Sequence, residues 1–422
     1  MPDVARSARL IALSLVILAP AAFGAEGFGQ HKAWFPVGPN PSAIAAVDLN
    51  GDGLPEIISA DTGVLTDPRS ERPANNELSM LAAVRPLEYE KQVPLITGFG
   101  PYCIATANID ALPAPDLLVG SFHTVERRSE SRDLVLFRNI GDLLFEPVEF
   151  SVPVDRLRYL RNRDADEQPI FTKPGITALV VHDFNRDDYR DVIAAGWSSD
   201  VLIYFPGHPT AYFEEPRFIA AAGGPRDIQA ADLDGDGNMD LVTVMYASGE
   251  IALWKGDAQG NFEEVDRFLG NGALPHKVRI ADVNKDGRLD LVVSDCHTYD
   301  SVAIHYATGV FQFEVCQEVA LGTSRSILEH EIRDVLAEDL NGDGRVDIAA
   351  ACFASGQVGV LTNTSADSTL PQTFSKALYT FESGGKTGMP RALCSHDFNT
   401  DGKKDIAVAL WGANAVALLL GR

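Results

Sequence analysis

The stretch DLNGDGLPE, residues 48–56, sets Asp48, Asn50 and Asp52 at alternate positions, then Gly53, then Glu56. Nearly the same pattern returns as NIDALPAPD (108–116), DFNRDDYRD (183–191), DLDGDGNMD (232–240), DVNKDGRLD (282–290), DLNGDGRVD (339–347) and DFNTDGKKD (397–405). Successive starts lie 60, 75, 49, 50, 57 and 58 residues apart. A scattered period of about 50 residues marks one supersecondary unit per repeat, with connecting loops of varying length.

Each copy has the same neighbours. A short apolar run precedes it (AIAAV, CIATA, ALVV, IQAA, VRIA, VLAE, ALCS) and another follows (IISA, LLVG, VIAA, LVTV, LVVS, IAAA, IAVAL). Both have strand length and many β-branched residues. A third run comes next, as in VLIYF or EIALW, and a fourth begins near a Phe after a Gly-containing turn, as in GNFEEVDRF. The unit is four short antiparallel strands, with the acidic stretch joining the first to the second. Seven such units predict an all-β chain, a seven-bladed β-propeller of four-stranded antiparallel blades.

The ends of the chain agree with a closed ring. The last repeat stops at Arg422, just after its third strand. FGQHKAWFPVG (28–38) precedes the first repeat and resembles fourth strands such as FEEVDRFLG (262–270) and FSKALYTFESG (374–384). The N-terminal strand is therefore predicted to complete the seventh blade, which removes exposed sheet edges. On this reading IAVALWGANAVALLLG (406–421) is two strands around a turn, too short to cross a bilayer easily.

Closely packed carboxylates repel one another, so such a loop needs a cation or solvent. Ca²⁺ takes six to eight oxygens from carboxylates, amides, backbone carbonyls and water. Side chains at positions 1, 3 and 5 can wrap one side of the ion, position 7 can offer its carbonyl, and the acid at position 9 can close the far side. Gly at position 6 supplies the sharp turn, since positive φ costs it little. The spacing resembles the start of an EF-hand loop, but the closing acid comes at 9.

Complete sets are Asp48, Asn50, Asp52 and Glu56; Asp232, Asp234, Asp236 and Asp240; Asp282, Asn284, Asp286 and Asp290; Asp339, Asn341, Asp343 and Asp347; and Asp397, Asn399, Asp401 and Asp405. A sixth set, Asp183, Asn185, Asp187 and Asp191, has Asp188 in place of Gly, and Asp tolerates left-handed backbone. The copy at Asn108 has Leu112 and Pro113 where a ligand and the turn belong, and reads as a metal-free relic. The expectation is five to six structural Ca²⁺ sites. The six loops hold 19 acids at ligand positions, and six ions carrying twelve positive charges would bring the net charge of −24 to −12. The alternative is a set of merely acidic hairpin turns.

With these motifs and Gly-x-Phe turns, nearly all of residues 28–422 resembles the FG-GAP/VCBS repeat family, the propellers of integrin α-subunit heads and many exported bacterial proteins. The resemblance implies a seven-bladed propeller, Ca²⁺ in the loops on one face, and roles in adhesion or carbohydrate binding.

A ligand site is expected at the other face. Six residues before each motif stand Ser42, Tyr102, Thr177, Arg226, His276, Arg333 and Arg391, at the start of the innermost strand and so near the mouth of the central channel. Arg226, His276, Arg333 and Arg391 would form a basic arc able to bind a carboxylate or acidic sugar bidentately. Alternatively these arginines pair with neighbouring acids such as Asp227 and Asp334. Six residues after the ninth motif position come Thr62, Phe122, Trp197, Tyr246, Cys296, Phe353 and Trp411. The aromatics either pack between blades or, with Trp197 and Trp411 foremost, stack on sugar. Inserts at 62–77 and 152–174, rich in Pro, Asp and Arg, read either as candidate binding loops or as disordered decoration.

The remaining signals bound the class. A net charge of −24 argues against nucleic acid and against attraction to an anionic membrane. Arg6 and Arg9 precede an apolar run and the small residues Ala22 and Gly24, the pattern of a secretory leader over residues 1–24 that is cleaved near Ala25. The mature propeller, 25–422, is expected to be secreted or periplasmic, without a membrane span, and a monomer. Five scattered cysteines, with no CxxC pair, read as buried thiols. No nucleophile elbow, phosphate loop or His-rich metal motif appears. The sequence thus predicts a binding or adhesion module for a carbohydrate or protein ligand. The rival is a carbohydrate-active enzyme such as a polysaccharide lyase on the same scaffold.

Overall fold

The computed structural model describes residues 27–63, 75–110, 112–122, 132–153, 174–270, 274–295, 301–322, 331–383 and 386–422, together with the backbone of Ile11–Val16. Most of the expected leader, the central parts of both inserts and Cys296 lie outside the described residues. Ile11–Val16 is a strand parallel to Val315–Ala320.

The predicted blades are present, each an antiparallel meander running outward from the channel. Their innermost strands are Pro41–Val47, Pro101–Ala107, Ile176–His182, Pro225–Ala231, Val278–Ala281, Ile332–Glu338 and Pro390–His396, from blade 1 to blade 7. Each inner strand packs against the next, and that of blade 7 packs against that of blade 1, so the ring is closed. The closing strand is the predicted one. Phe28–Gln30 pairs antiparallel with the last strand of blade 7, Phe28 opposite Gly421 and Gln30 opposite Leu419.

The core is divided among the blade interfaces. Seven apolar clusters each join two adjacent blades, for example Ile203 and Val192 of blade 3 with Leu118 and Leu136 of blade 2. Second strands such as Asp240–Met245 and Asp347–Cys352 are buried along their whole length. Both of their faces meet a neighbouring blade, which explains why they read as continuous apolar runs instead of alternating ones. Outer strands such as Phe262–Leu269 are mostly half-buried or exposed. Among the described residues Cys103, Cys316 and Cys352 are buried free thiols and Cys394 is half-buried. No helix among them is long and apolar enough to cross a membrane.

Candidate functional site: two ends of the inner strands

Each inner strand runs from the channel mouth to an acidic loop. At about 3.3 Å per residue, its seven or so residues hold these ends roughly 20 Å apart. The loop ends share one register. The residue before the motif pairs with the ninth, as in Val47 with Glu56, Ala231 with Asp240 and Glu338 with Asp347. Blade 2 keeps the same closure, Ala107 with Asp116.

Within the loops the first acid accepts backbone N–H groups. Asp339 takes those of Gly342 and Gly344, each at 2.7 Å. Asn at the third position donates to the fifth, as Asn341 does to Asp343 at 3.1 Å. In the sixth set Asp188 adopts φ 72° and gives its N–H to Asp183 at 3.0 Å, reproducing the glycine geometry.

The ninth acid has a role that its sequence position did not reveal. In all seven blades it is buried, with both carboxylate oxygens accepting backbone N–H groups. One donor is the second motif residue and the other lies on or just after the third strand. Asp347 takes Leu340 at 3.2 Å and Asn363 at 2.8 Å. In the relic loop Asp116 takes Ile109 at 2.9 Å and Asn139 at 2.8 Å. The ninth acid therefore ties three strands together even where the ligand set is broken. Burial pushes Asp290 up to about 7 and Asp347 up to about 6, outweighing the backbone hydrogen bonds that pull the other way.

The donor set suits a hard cation. Carboxylate oxygens of Asp232, Asp234 and Asp240 lie within 4.8 Å of one another, compatible with sharing an ion about 2.3–2.6 Å from each. The loops differ in their neighbours. The Lys255 ammonium contacts both Asp234 and Asp236. Arg288 pairs with Asp286 at 2.6 Å and Arg345 with Asp343 at 2.5 Å. In the relic, Arg138 pairs with Asp110 at 2.9 Å. Among the described residues no Lys or Arg pairs with Asp52, Asp187 or Asp401.

At the opposite end the seven mouth residues line one cavity of about 120 Å³. Six of the blades place theirs at a β-bulge. Pro225 pairs with Met245 and Asp227 with Val244, so Arg226 is the extra residue. Arg391, Ser42, Tyr102 and Thr177 are left over in the same way, and blade 6 shifts register across Arg333 and Asp334. A bulge re-aims a side chain, and bulges are over-represented next to functional sites. In blade 5, His276 lies just ahead of the strand.

The expected pairing with Asp227 and Asp334 is not what forms. Asp227 is taken by Lys277 at 2.8 Å and Arg279 at 3.2 Å, and Asp334 by Arg279 at 2.8 Å. Arg333 pairs with Glu331, and its Nη1 lies 3.3 Å from His276 Nε2. Among the described residues neither Arg226 nor Arg391 forms an ion pair with a carboxylate, although Glu331 acts on Arg391 from a distance. Both donate to the Tyr102 hydroxyl oxygen, Arg391 at 2.6 Å, and Arg391 also donates to Ser42 at 3.1 Å. Burial, then Arg226, Arg333, Arg391 and Lys277, hold His276 well below its ordinary range, so its imidazole is neutral. Burial would raise the Tyr102 phenol, but Arg226, Arg391, Arg333 and Lys277 outweigh it and bring it down to about 8. Burial also lowers Arg391, to about 10. Tyr102 shares the arginines' register, yet a charge-based reading passes over it.

Aromatic rings surround this mouth. Phe122 lies 5.2 Å from Tyr102 and 5.6 Å from Trp197, Trp197 lies 6.4 Å from Tyr246, and Phe353 lies 5.6 Å from Trp411. All but the first of these contacts join blades, as expected of packing residues, but all five outer rings are only half-buried. They also hold the arginines. Arg226 lies 5.0 Å from the centre of the Tyr246 ring, and Arg333 lies 5.1 Å from that of Phe353. Trp197 and Trp411 thus belong to the rim, one ring removed from the cations.

The FG-GAP-like repeat model matches residues 183–243, 242–293 and 339–408, so the chain carries FG-GAP-like repeats in these three places. No curated protein matches it. Among solved structures, BBS1N in complex with ARL6DN, soaked with mercury, is similar at 12% identity, covering 92% of this chain and 97% of that one, with a TM-score of 0.56. A putative 6-phosphogluconolactonase from Bacteroides uniformis ATCC 8492 is similar at 17% identity, covering 81% and 87%, with a TM-score of 0.54. Another from Bacteroides fragilis NCTC 9343 has 16% identity, coverage of 84% and 86%, and a TM-score of 0.52. At these identities the likeness concerns the fold alone.

Proposed function

We propose that this propeller with FG-GAP-like repeats is an exported binding module that holds an anionic ligand at the mouth of its central channel. The ligand class is an acidic carbohydrate or a carboxylate-bearing protein segment, and the role is adhesion or capture outside the cytoplasm. The observation that carries this reading is the pair Arg226 and Arg391, which meet at Tyr102 without an ion-pair partner among the described residues. Guanidinium groups match carboxylates in a planar, bidentate fashion. Two guanidiniums brought together repel each other, and Arg391 is buried besides, so the pair is costly to hold unless an anion joins it.

Calcium is proposed for the acidic loops, held by the side chains at positions 1, 3 and 5 with the ninth acid. Bound there, it would supply two positive charges per loop against three or four carboxylates. Its role is structural, since the loops lie at the far end of the inner strands from the mouth. The leader-like N-terminus supports export, where calcium at about 10⁻⁴–10⁻³ M is the usual range for such modules.

Binding to an array of acidic and neutral glycans, with and without calcium, tests the reading. Retention of uronate-bearing glycans by the parent, lost in Arg226→Ala, is the expected result. Equal binding of neutral glycans by both proteins would overturn it. Release of unsaturated products from an acidic polysaccharide, abolished in Arg226→Ala, would make the same site catalytic.

A further inference from the structure

Tyr102 stands where the two unpaired guanidiniums meet, and this inference rests on the anionic-ligand reading above. A phenol oxygen has two lone pairs and one proton. Arg226 and Arg391 both donate to that oxygen, so its remaining capacity is to donate. Among the described residues Tyr102 gives its proton to no acceptor. Arg391 spends Nε on Ser42 and Nη2 on Tyr102, and Arg226 spends Nη2 on Tyr102, which leaves further N–H groups of both without an acceptor among the described residues. The acceptors nearby are already engaged. Glu331 is taken by Arg333, Asp227 by Lys277 and Arg279, and Asp334 by Arg279. Among the described residues the mouth therefore offers hydrogen-bond donors to a ligand and almost no acceptors.

Its size adds a second restriction. The cavity holds about 120 Å³, against roughly 300–1,000 Å³ for pockets that enclose a drug-sized ligand. A single anionic group fits with ease, whereas a whole substituted saccharide must leave much of its body outside. The half-buried rings of Phe122, Trp197, Tyr246, Phe353 and Trp411 stand around it. They offer apolar faces to whatever carries the anionic group.

We infer that the mouth is a socket for one compact, fully ionised oxyanion that enters end-on, its body remaining against the aromatic rim, and that Tyr102 sets the selectivity of the socket by donating its hydroxyl proton to the anion. A protonated acid is a poorer guest, because its own O–H finds no free acceptor. The same geometry makes Tyr102 a competitor when it loses that proton. Its phenolate would sit on the two guanidiniums that the ligand needs. The cations facing it are Arg226 from blade 4, Arg391 from blade 7, Arg333 from blade 6 and Lys277 from blade 5, with the neutral His276 beside Arg333, and the nearby acid Glu331 is paired with Arg333 and lies 3.5 Å from His276. They bring the phenol to about 8, within reach of a titration that leaves the propeller folded.

Sulfate is a suitable probe because its charge is constant over the working range. Calorimetric titration of the full chain with sulfate should give an affinity that is level below pH 7. Above pH 8 it should fall about tenfold per pH unit, the slope of a single competing proton. Tyr102→Phe should bind sulfate more weakly at pH 7 and lose the fall. Saturating sulfate should raise the midpoint of one tyrosine in the ultraviolet phenolate titration of the parent protein, a readout that needs no variant. Trp197→Ala should weaken binding of methyl glucuronide and leave that of sulfate unchanged. A level profile in the parent, or the same fall in Tyr102→Phe, would overturn the role of Tyr102 while leaving the anion site standing. Equal loss of sulfate and glucuronide in Trp197→Ala would overturn end-on entry. If neither sulfate nor glucuronide binds the parent at any pH, the anionic-ligand reading itself fails with it.

Discussion

The inner strands end in seven loops that are near copies of one another, and they begin with seven residues of five kinds: Ser, Tyr, Thr, Arg, His, Arg and Arg. The two ends answer different demands. Every loop must close the same hairpin, and the buried ninth acid does so in each blade by accepting two backbone N–H groups, even in blade 2 where Leu112 and Pro113 have broken the ligand pattern. The mouth residues have no such common task. Each stands beside six different neighbours across one channel, so their variety is available for building a single asymmetric site. Arg226, Arg333 and Arg391 fall on one side of it, and Ser42 and Thr177 contribute only hydroxyls.

If the loop end is structural and the mouth end functional, the largest effect should come from calcium. Removing it with excess chelator should lower the melting temperature markedly, and restoring it should recover the loss. Each site saturated at about 100 times its Kd contributes about 2.7 kcal/mol. A melting curve indifferent to chelator would sink the calcium sites and leave the loops as hydrogen-bonded turns.

Next in size are the ninth acids. Asp116→Asn and Asp347→Asn each turn an amide nitrogen toward a buried backbone N–H, which costs about 1–3 kcal/mol. Denaturant unfolding should show the Asp116→Asn loss to be the same with and without calcium. For Asp347→Asn the loss should grow when calcium is present. Equal calcium dependence in the two variants would erase the distinction between blade 2 and the rest.

At the mouth the signs reverse. Arg226→Ala should weaken binding of a uronate probe by about 10- to 100-fold, the worth of a charge-assisted hydrogen bond or two. Its melting temperature should hardly change, since no carboxylate partner is stranded. A large loss of stability without loss of binding would make the arginine a packing residue.

The smallest effect is expected within the loops themselves. Lys255→Met should modestly raise calcium affinity in blade 4, because the ammonium leaves Asp234 and Asp236. The calcium titration of Lys255→Met should differ from that of the parent at one site only. No change there would mean that the lysine swings clear when the ion binds.

The sequence alone determined the architecture. A blade is a local object, four strands in about 50 residues, so its loop, its apolar runs and its turns recur in order and can be counted. The missing fourth strand of blade 7 was legible for the same reason, and Phe28–Gln30 fills it against Leu419–Gly421. The left-handed turn at Asp188 was also readable, because φ preference is a property of a residue type. Tertiary structure decided what the mouth residues do. The sequence offered Asp227 and Asp334 as partners for the arginines, being adjacent in the chain, but the inner strand directs neighbouring side chains apart, and those acids, on blades 4 and 6, meet Lys277 and Arg279 of blade 5 between them. Tyr102 meets Arg226 and Arg391 across 124 and 289 residues of chain. No local pattern encodes such a meeting. It exists because ring closure brings the bulged starts of the inner strands to one axis, where charges that have no partner along the chain must find one across it.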